Sequence, residues 1–268
     1  MISSIKDCAL LNNGIRMPWL GFGVLNIEDG QVVERAVVNA LETGYRSIDT
    51  ATVYGNERGV GRALRESGIP REEIFLTTKV WNDAQRERRT MAAFEQSLQR
   101  LETEYVDLYL IHWPVEGSYH ETWRVMEEIY RSGRAKAIGV SNFQIHHLND
   151  ILRDSQIVPA VNQIEFHPFL VQPELLKFCQ GQEIQVEAWS PLMQGEIFSE
   201  QTVQKLAQKY NRTIAQIILR WDLQHGVVTI PKSVNPYRIA ENSQIFDFEL
   251  SQTDMNVLDG LDEGKRVG

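Results

Sequence analysis

The chain is poor in the features that mark secreted, membrane-bound or nucleic-acid-binding proteins. Its 268 residues include only two cysteines, Cys8 and Cys179. That is too few for a disulfide framework and points to a reducing, cytoplasmic compartment. The opening stretch Met1-Ile2-Ser3-Ser4-Ile5-Lys6-Asp7 lacks the apolar core of a signal peptide, and no run approaches the ~20 apolar residues of a membrane span. Positive charge is in deficit: 27 Lys and Arg against 36 Asp and Glu leave a net charge of −9. Phosphate backbones need a clustered cationic excess, so a nucleic-acid partner is not expected. An anionic ligand must instead be held by a local basic cluster. No G-x-G-x-x-G fingerprint follows the first apolar strand, because Gly21-Phe22-Gly23 stops short of it; a doubly wound sheet therefore ranks second among fold classes. No H-E-x-x-H is present, and the adjacent His146 and His147 should diverge on a solvated helix face, so no metal site is expected.

What is present is an alternation of strand and helix signals. Leu10 to Met17, with Asn13-Gly14, predicts a hairpin closed by a tight primed turn. Leu20 to Val24 follows as a buried strand whose glycines predict close backbone approach. Val32, Val33, Ala36, Val37, Ala40 and Leu41 recur at helical spacing and Gly44 stands where a C-terminal cap belongs. Further strands are predicted at 46–49, 74–80, 106–112, 137–142, 160–165, 185–189 and 227–230, each followed by a helical pattern, with helices near 236–243 and 253–261 at the end. Eight such units imply parallel strands, right-handed crossovers and closure into a (β/α)8 TIM barrel, with an N-terminal β-hairpin and extra C-terminal helices. A barrel of this kind takes about 250 residues, so residues 1–268 are expected to form one domain.

Polar residues fall at the C-terminal ends of these strands: Asp49, Lys79, His112, Ser141 with Asn142, Gln163 and Trp189. In a barrel those ends converge on one mouth, where active sites are built. Tyr54 follows Asp49 on a loop closed by Gly55-Asn56. Taken singly, each has a structural explanation. Asp49 could cap a turn, Tyr54 could be a rim aromatic, His112 a satisfied core histidine and Gln163 a strand-end hydrogen-bonder. Taken jointly, they form a chemical set. A phenol with a pKa near ~10 is a weak proton donor at neutral pH; an adjacent ammonium stabilises its phenolate and should lower that value, and a carboxylate holds the ammonium. A neutral imidazole can orient a substrate oxygen. Such equipment protonates an alkoxide formed when hydride reaches a carbonyl carbon, and the hydride must come from a cofactor. The late cluster Lys232-Ser233 with Arg238, opening a helix after the last strand, suits a phosphate monoester.

In order and spacing these residues resemble the aldo-keto reductase superfamily across essentially the whole chain. The motifs are Leu20-Gly21-Phe22-Gly23, Gly44 to Ala51 with Tyr54-Gly55-Asn56-Glu57, Thr77-Thr78-Lys79, Asp107 to Pro114, Gly139 to Phe143, Asn162 to Glu165 and Ile230 to Ser233. Ala188-Trp189-Ser190-Pro191-Leu192 resembles the bacterial diketogluconate and glyoxal/methylglyoxal reductases. The resemblance implies Tyr54 as general acid/base, Lys79 and Asp49 as its tuning pair and His112 as orienter. It implies that NADPH is the cofactor. Ser141, Asn142 and Gln163 would hold the nicotinamide carboxamide, and Trp189 would stack on its ring. Ser190, Leu192, Gln194 and Gly195 would pass over the pyrophosphate. Lys232, Ser233, Arg238 and Asn242 would hold the 2′-phosphate, with Gly23, Val24, Val234 and Glu241 also at cofactor-contacting positions. Leu25, Trp81 and Trp113 fall at substrate-pocket positions beside Tyr54 and His112. Many relatives carry Tyr in place of Trp189 and an aromatic in place of Leu25. The Met193–Ser199 segment is short for a cofactor clasp, and many relatives carry a longer segment beyond the position of Gly268, which would leave this pocket more open.

The expected activity is NADPH-dependent reduction of small aldehydes, α-dicarbonyls of the methylglyoxal type or keto-sugars, by a monomer acting on small molecules. Two other classes use the same residues. One is an NADPH-binding redox-sensing protein; the other is a Schiff-base aldolase with Lys79 as nucleophile. Asp49 argues against the aldolase, because an ion pair keeps the amine protonated.

Overall fold

The computed structural model describes residues 2–268. An antiparallel hairpin, β1 (Cys8–Leu10) and β2 (Arg16–Pro18), precedes eight strands: β3 (Phe22–Gly23), β4 (Ser47–Asp49), β5 (Phe75–Val80), β6 (Val106–Ile111), β7 (Ala135–Ser141), β8 (Val161–Glu165), β9 (Gln185–Trp189) and β10 (Val228–Thr229). These eight pair in parallel in sequence order. The two ends of the sheet meet through a parallel bridge between Leu20 and Thr229, where Gly21 N–H donates to Thr229 O at 2.9 Å and Thr229 N–H to Trp19 O at 3.1 Å. The result is the expected (β/α)8 barrel with its hairpin and late helices.

Each helix covers the outside of the strands for the reason its sequence gives. In helix Gln31–Thr43 the buried residues are Val33, Ala36, Val37, Ala40 and Leu41, one apolar face at 3.6-residue spacing. Gly44 ends it in the left-handed region (φ 109°), donating to Leu41 O at 3.0 Å. The hairpin plugs the N-terminal end of the barrel. Ala9, Leu11 and Met17 pack on Phe75, Leu108, Leu110, Ala137, Ala160, Val161 and Val228. Met17 is fully buried, which is worth ~1.5–3 kcal/mol by the usual transfer scale. With that end filled, the opposite mouth is left for chemistry.

Several boundaries differ from the sequence reading. The hairpin turn is not the two-residue primed type. Gly14 N–H donates to Leu11 O and Leu11 N–H to Ile15 O, both at 2.9 Å, with Gly14 at φ 84°. That is a three-residue loop with glycine at its left-handed position. The first barrel strand shrinks to Phe22–Gly23, because Gly21 and Gly23 donate across the closure to Thr229 and Pro231. A Cβ on Gly21 would lie 2.8 Å from Ile230 Cγ2, so the close approach predicted for these glycines is real. The last helices run Pro236–Asn242 and Gln252–Asp259. No helix among the described residues is long and apolar enough to cross a membrane.

Candidate active site

At the C-terminal mouth, β4 and β5 end on a buried ion pair. Lys79 Nζ donates to Asp49 Oδ1 at 2.6 Å, to Thr50 O at 3.1 Å and to Tyr54 Oη at 3.2 Å, so its three N–H groups are all committed. The Lys79 side chain is fully buried and Asp49 nearly so. A charge pair so deep persists only when geometry and extra hydrogen bonds offset desolvation, and here both partners have them. The second Asp49 oxygen, Oδ2, accepts from Gln163 Nε2 at 2.8 Å.

The loop that presents Tyr54 is pinned from below. Thr50 Oγ1 donates to Asn56 Oδ1 at 2.8 Å, and Asn56 Nδ2 donates to Val24 O and Ile27 O at 2.9 and 3.0 Å. Thr52 Oγ1 donates to the Lys79 carbonyl at 3.0 Å. Gly55 takes a left-handed conformation (φ 70°), which turns the chain into helix Glu57–Glu66. The phenol is thereby fixed over the ammonium by bonds that do not involve the phenol itself.

Burial, Lys79 and nearby carboxylates set the protonation states. Burial lowers the Lys79 pKa, but Asp49 and Tyr54 more than compensate, so the ammonium is held charged above its ordinary value. For Tyr54 burial also dominates and pushes the phenol up, with Lys79 pulling the other way. This corrects the expectation that Lys79 would lower the Tyr54 value outright: the cation only offsets part of the desolvation. His112 is driven down to about 2 by burial and by the Lys79 charge, so its imidazole is neutral. It stands edge-on to Tyr54 and Trp81, with ring centroids 5.6 and 5.0 Å away. His112 Nδ1 is buried without a partner.

These groups open into a cavity of about 830 Å³, a size typical of small-molecule sites. Every residue predicted for catalysis, cofactor or substrate lines it except Val24 and Lys79. Val24 is fully buried; its N–H donates to Asp49 O at 3.1 Å and its carbonyl serves Asn56. Lys79 lies beneath the floor and reaches the cavity only through Tyr54. On one wall Trp189 Nε1 donates to Asn142 Oδ1 at 2.9 Å, while Asn142 Nδ2 donates to His112 O and Ser141 Oγ at 3.0 and 3.1 Å. Asn142 adopts φ 65°, so this wall is held in an uncommon backbone state by side-chain bonds. At the far end Lys232 and Arg238 are exposed, and no carboxylate pairs with either among the described residues. Free cations at one end, a half-buried indole in the middle and the Gln163 side chain beside it suit an anionic ligand that carries an aromatic ring.

Comparison with known proteins bears on what such a cavity holds. The model of the Aldo/keto reductase family matches residues 20–263. The chain belongs to that family. This aldo/keto reductase family member is 56% identical over 268 residues to glyoxal reductase of Bacillus subtilis, covering 100% of this chain and 97% of that protein. It is 47% identical over 262 residues to methylglyoxal reductase DkgA of Escherichia coli K12, covering 96% and 94% of the two chains. Among solved structures, an aldo/keto reductase from Brucella melitensis superposes with a TM-score of 0.91 at 47% identity, covering 95% of this chain and 99% of that one.

Sequence reasoning missed several contributors in this family member. Glu187, on β9, is fully buried and accepts from Gln163 Nε2 at 2.7 Å. An acidic residue between the apolar Val186 and Ala188 was the available signal. Val53 and Phe198 are exposed apolar side chains on the cavity wall, and nothing in the local pattern distinguishes them from ordinary loop residues. Gly268 also lines the cavity, close against the Trp189 ring. Val267 N–H donates to the buried Glu165 Oε1 at 2.6 Å and Gln194 Nε2 to Val267 O at 3.2 Å, which anchors Gly268 in the wall. Met193–Ser199 is a pair of tight turns broken at Gln194 and Gly195, not an extended loop. His146 and His147 do not diverge: their rings lie 3.8 Å apart, and His147 Nδ1 accepts from Gln144 N at 3.1 Å as a helix cap. No cluster suited to a metal ion occurs among the described residues.

Proposed function

We propose that this protein reduces small aldehydes and α-dicarbonyls of the methylglyoxal type, and keto-sugars, to alcohols with NADPH, using Tyr54 as the general acid. The observation that carries this reading is the complete commitment of the Lys79 ammonium to Asp49, Thr50 and Tyr54 at the cavity floor. A cation fixed there does not act as a free nucleophile; it stabilises the phenolate that remains once Tyr54 has given up its proton. The Schiff-base reading is disfavoured for the same reason.

Bound NADPH supplies the hydride. The protein's part is to place a carbonyl oxygen within reach of Tyr54 Oη and His112 Nε2. The His112 imidazole is neutral, and its buried Nδ1 finds no acceptor. Its proton therefore sits on Nε2, where it donates to the carbonyl oxygen and fixes the angle of approach. As negative charge grows on that oxygen, the Tyr54 proton moves to it; an alkoxide is a far stronger base than a phenolate, so the raised Tyr54 value is no obstacle. Leu25, Val53, Trp81, Trp113 and Phe198 give the mouth an apolar rim that excludes water without specific polar contacts. Such a rim suits small substrates of varied shape. Similarity to a glyoxal reductase and to methylglyoxal reductases supports the α-dicarbonyl class.

NADPH oxidation followed by loss of reduced-nicotinamide absorbance, with methylglyoxal and an aromatic aldehyde as substrates, tests the proposal. Turnover with both is expected. An enzyme inert toward a whole carbonyl panel, yet tightly retaining NADPH, would point to redox sensing instead.

A further inference from the structure

Gln163 is held by two buried acidic side chains. Its Nε2 donates to Asp49 Oδ2 at 2.8 Å and to Glu187 Oε2 at 2.7 Å. An amide nitrogen has two N–H groups, and both are spent. The carbonyl oxygen Oε1 has no donor among the described residues, and Gln163 lines the cavity. Among the neighbours that could meet a carboxamide, Asn142 already uses its oxygen on Trp189 and its nitrogen on His112 and Ser141, and Ser141 Oγ donates to Gln163 O at 2.9 Å. Gln163 Oε1 is therefore the uncommitted side-chain acceptor of this wall.

One carboxylate alone would leave the amide plane free to turn about a single hydrogen bond. Two acceptors fix the plane, and Asp49, tied to Lys79, opposes the flipped amide, which would set Oε1 against Asp49 Oδ2. Asp49 is tied to Lys79, so its place in the site is already explained. Glu187 is not: it is fully buried, contacts no cation, and its Oε1 has no partner. Burial first, and then the Asp49 charge, hold its carboxyl well above the usual range. A neutral carboxyl still accepts through its carbonyl oxygen, so its contact with Gln163 does not require ionisation. A buried, poorly satisfied acid is costly and calls for a reason.

We propose that Glu187 is a positioning residue for the cofactor: with Asp49 it locks the Gln163 amide so that Oε1 faces the cavity and accepts a hydrogen bond from the carboxamide N–H of the nicotinamide. The proposal rests on the reading of this protein as an NADPH-binding reductase. It assigns Glu187 to ground-state recognition of the cofactor, acting through Gln163, and not to proton transfer.

The test compares NADPH with the reduced 3-acetylpyridine analogue, whose acetyl group has no N–H. Binding is read by quenching of tryptophan fluorescence, independent of turnover. For Glu187→Leu the Kd of NADPH should rise ~10-fold, the scale of one lost hydrogen bond to a desolvated group, while Glu187→Gln should stay within about threefold of the parent. With the analogue, parent and Glu187→Leu should agree within about twofold, because the contact does not exist for either. Glu187→Thr, whose hydroxyl is too short to reach Gln163 but whose shape suits a strand, should repeat the pattern if the leucine variant folds poorly. Unchanged NADPH binding in the Leu or Thr variant overturns the inference and leaves the reductase reading intact. Equal weakening toward both cofactors also overturns it, since that is the mark of general damage. Failure of the parent to bind NADPH overturns both.

Discussion

The ammonium of Lys79 lies 2.6 Å from Asp49 Oδ1 and 3.2 Å from Tyr54 Oη, fully enclosed beneath the cavity floor. Asp49 makes no hydrogen bond to the phenol oxygen in this arrangement. It fixes the cation, and the cation serves the phenol.

Removing one partner of this pair should cost more than removing both. Lys79→Met strands a buried carboxylate and should destabilise the fold by about 3–5 kcal/mol. The double variant Lys79→Met, Asp49→Leu removes both charges and should recover most of that loss in a denaturant titration, while remaining as inactive as the single variant. A double variant no more stable than the single one would contradict the offsetting of charge described above.

The pH dependence follows from two shifts of opposite sign. His112 lies down at about 2 and is neutral throughout the working range, so no inflection should occur near its ordinary value of 6.5. Tyr54 lies above its ordinary value of 10.0. Reduction needs the protonated phenol, so its rate should be flat from about pH 6 to 9 and fall only as pH rises through the Tyr54 value. Alcohol oxidation needs the phenolate and should rise over the same alkaline range. A reduction rate halved between pH 6 and 7 would implicate another group.

The free cations at the far end of the cavity predict a cofactor preference. Arg238→Ala and Lys232→Ala should each raise the Kd of NADPH by roughly 10–100-fold, the scale of a charge-assisted hydrogen bond, and leave that of NADH nearly unchanged. Titrations with both nucleotides check this. Equal losses for both would place the two side chains elsewhere than on the 2′-phosphate.

How much of this was legible in the sequence depended on periodicity and on chemistry that is local along the chain. The alternation of apolar strands with amphipathic helices carries the barrel, and Asp49, Lys79 and His112 stand out because polar residues rarely end apolar strands, whereas Gln163 sits inside β8 beside the polar Asn162. The residues that stayed hidden act across the barrel. Glu187 meets Gln163 over 24 positions and Gln163 meets Asp49 over 114, and no local pattern encodes either contact. Turn geometry was also beyond the sequence: Asn13-Gly14 fits either hairpin type, and the pairing of Leu10 with Arg16 decides for the longer loop. The direction of the Tyr54 shift failed for a different reason. It is a contest between burial and a cation, and only the structure gives the burial.

The central claim is that Tyr54 delivers the proton while other groups hold the cofactor and the cation. Single-turnover oxidation of enzyme-bound NADPH by methylglyoxal, in the parent and in Tyr54→Phe, tests it most directly. The phenylalanine variant should bind NADPH with the parent affinity and oxidise it ~10²–10⁴-fold more slowly. A variant that binds NADPH normally and reduces methylglyoxal at the parent rate would contradict the account.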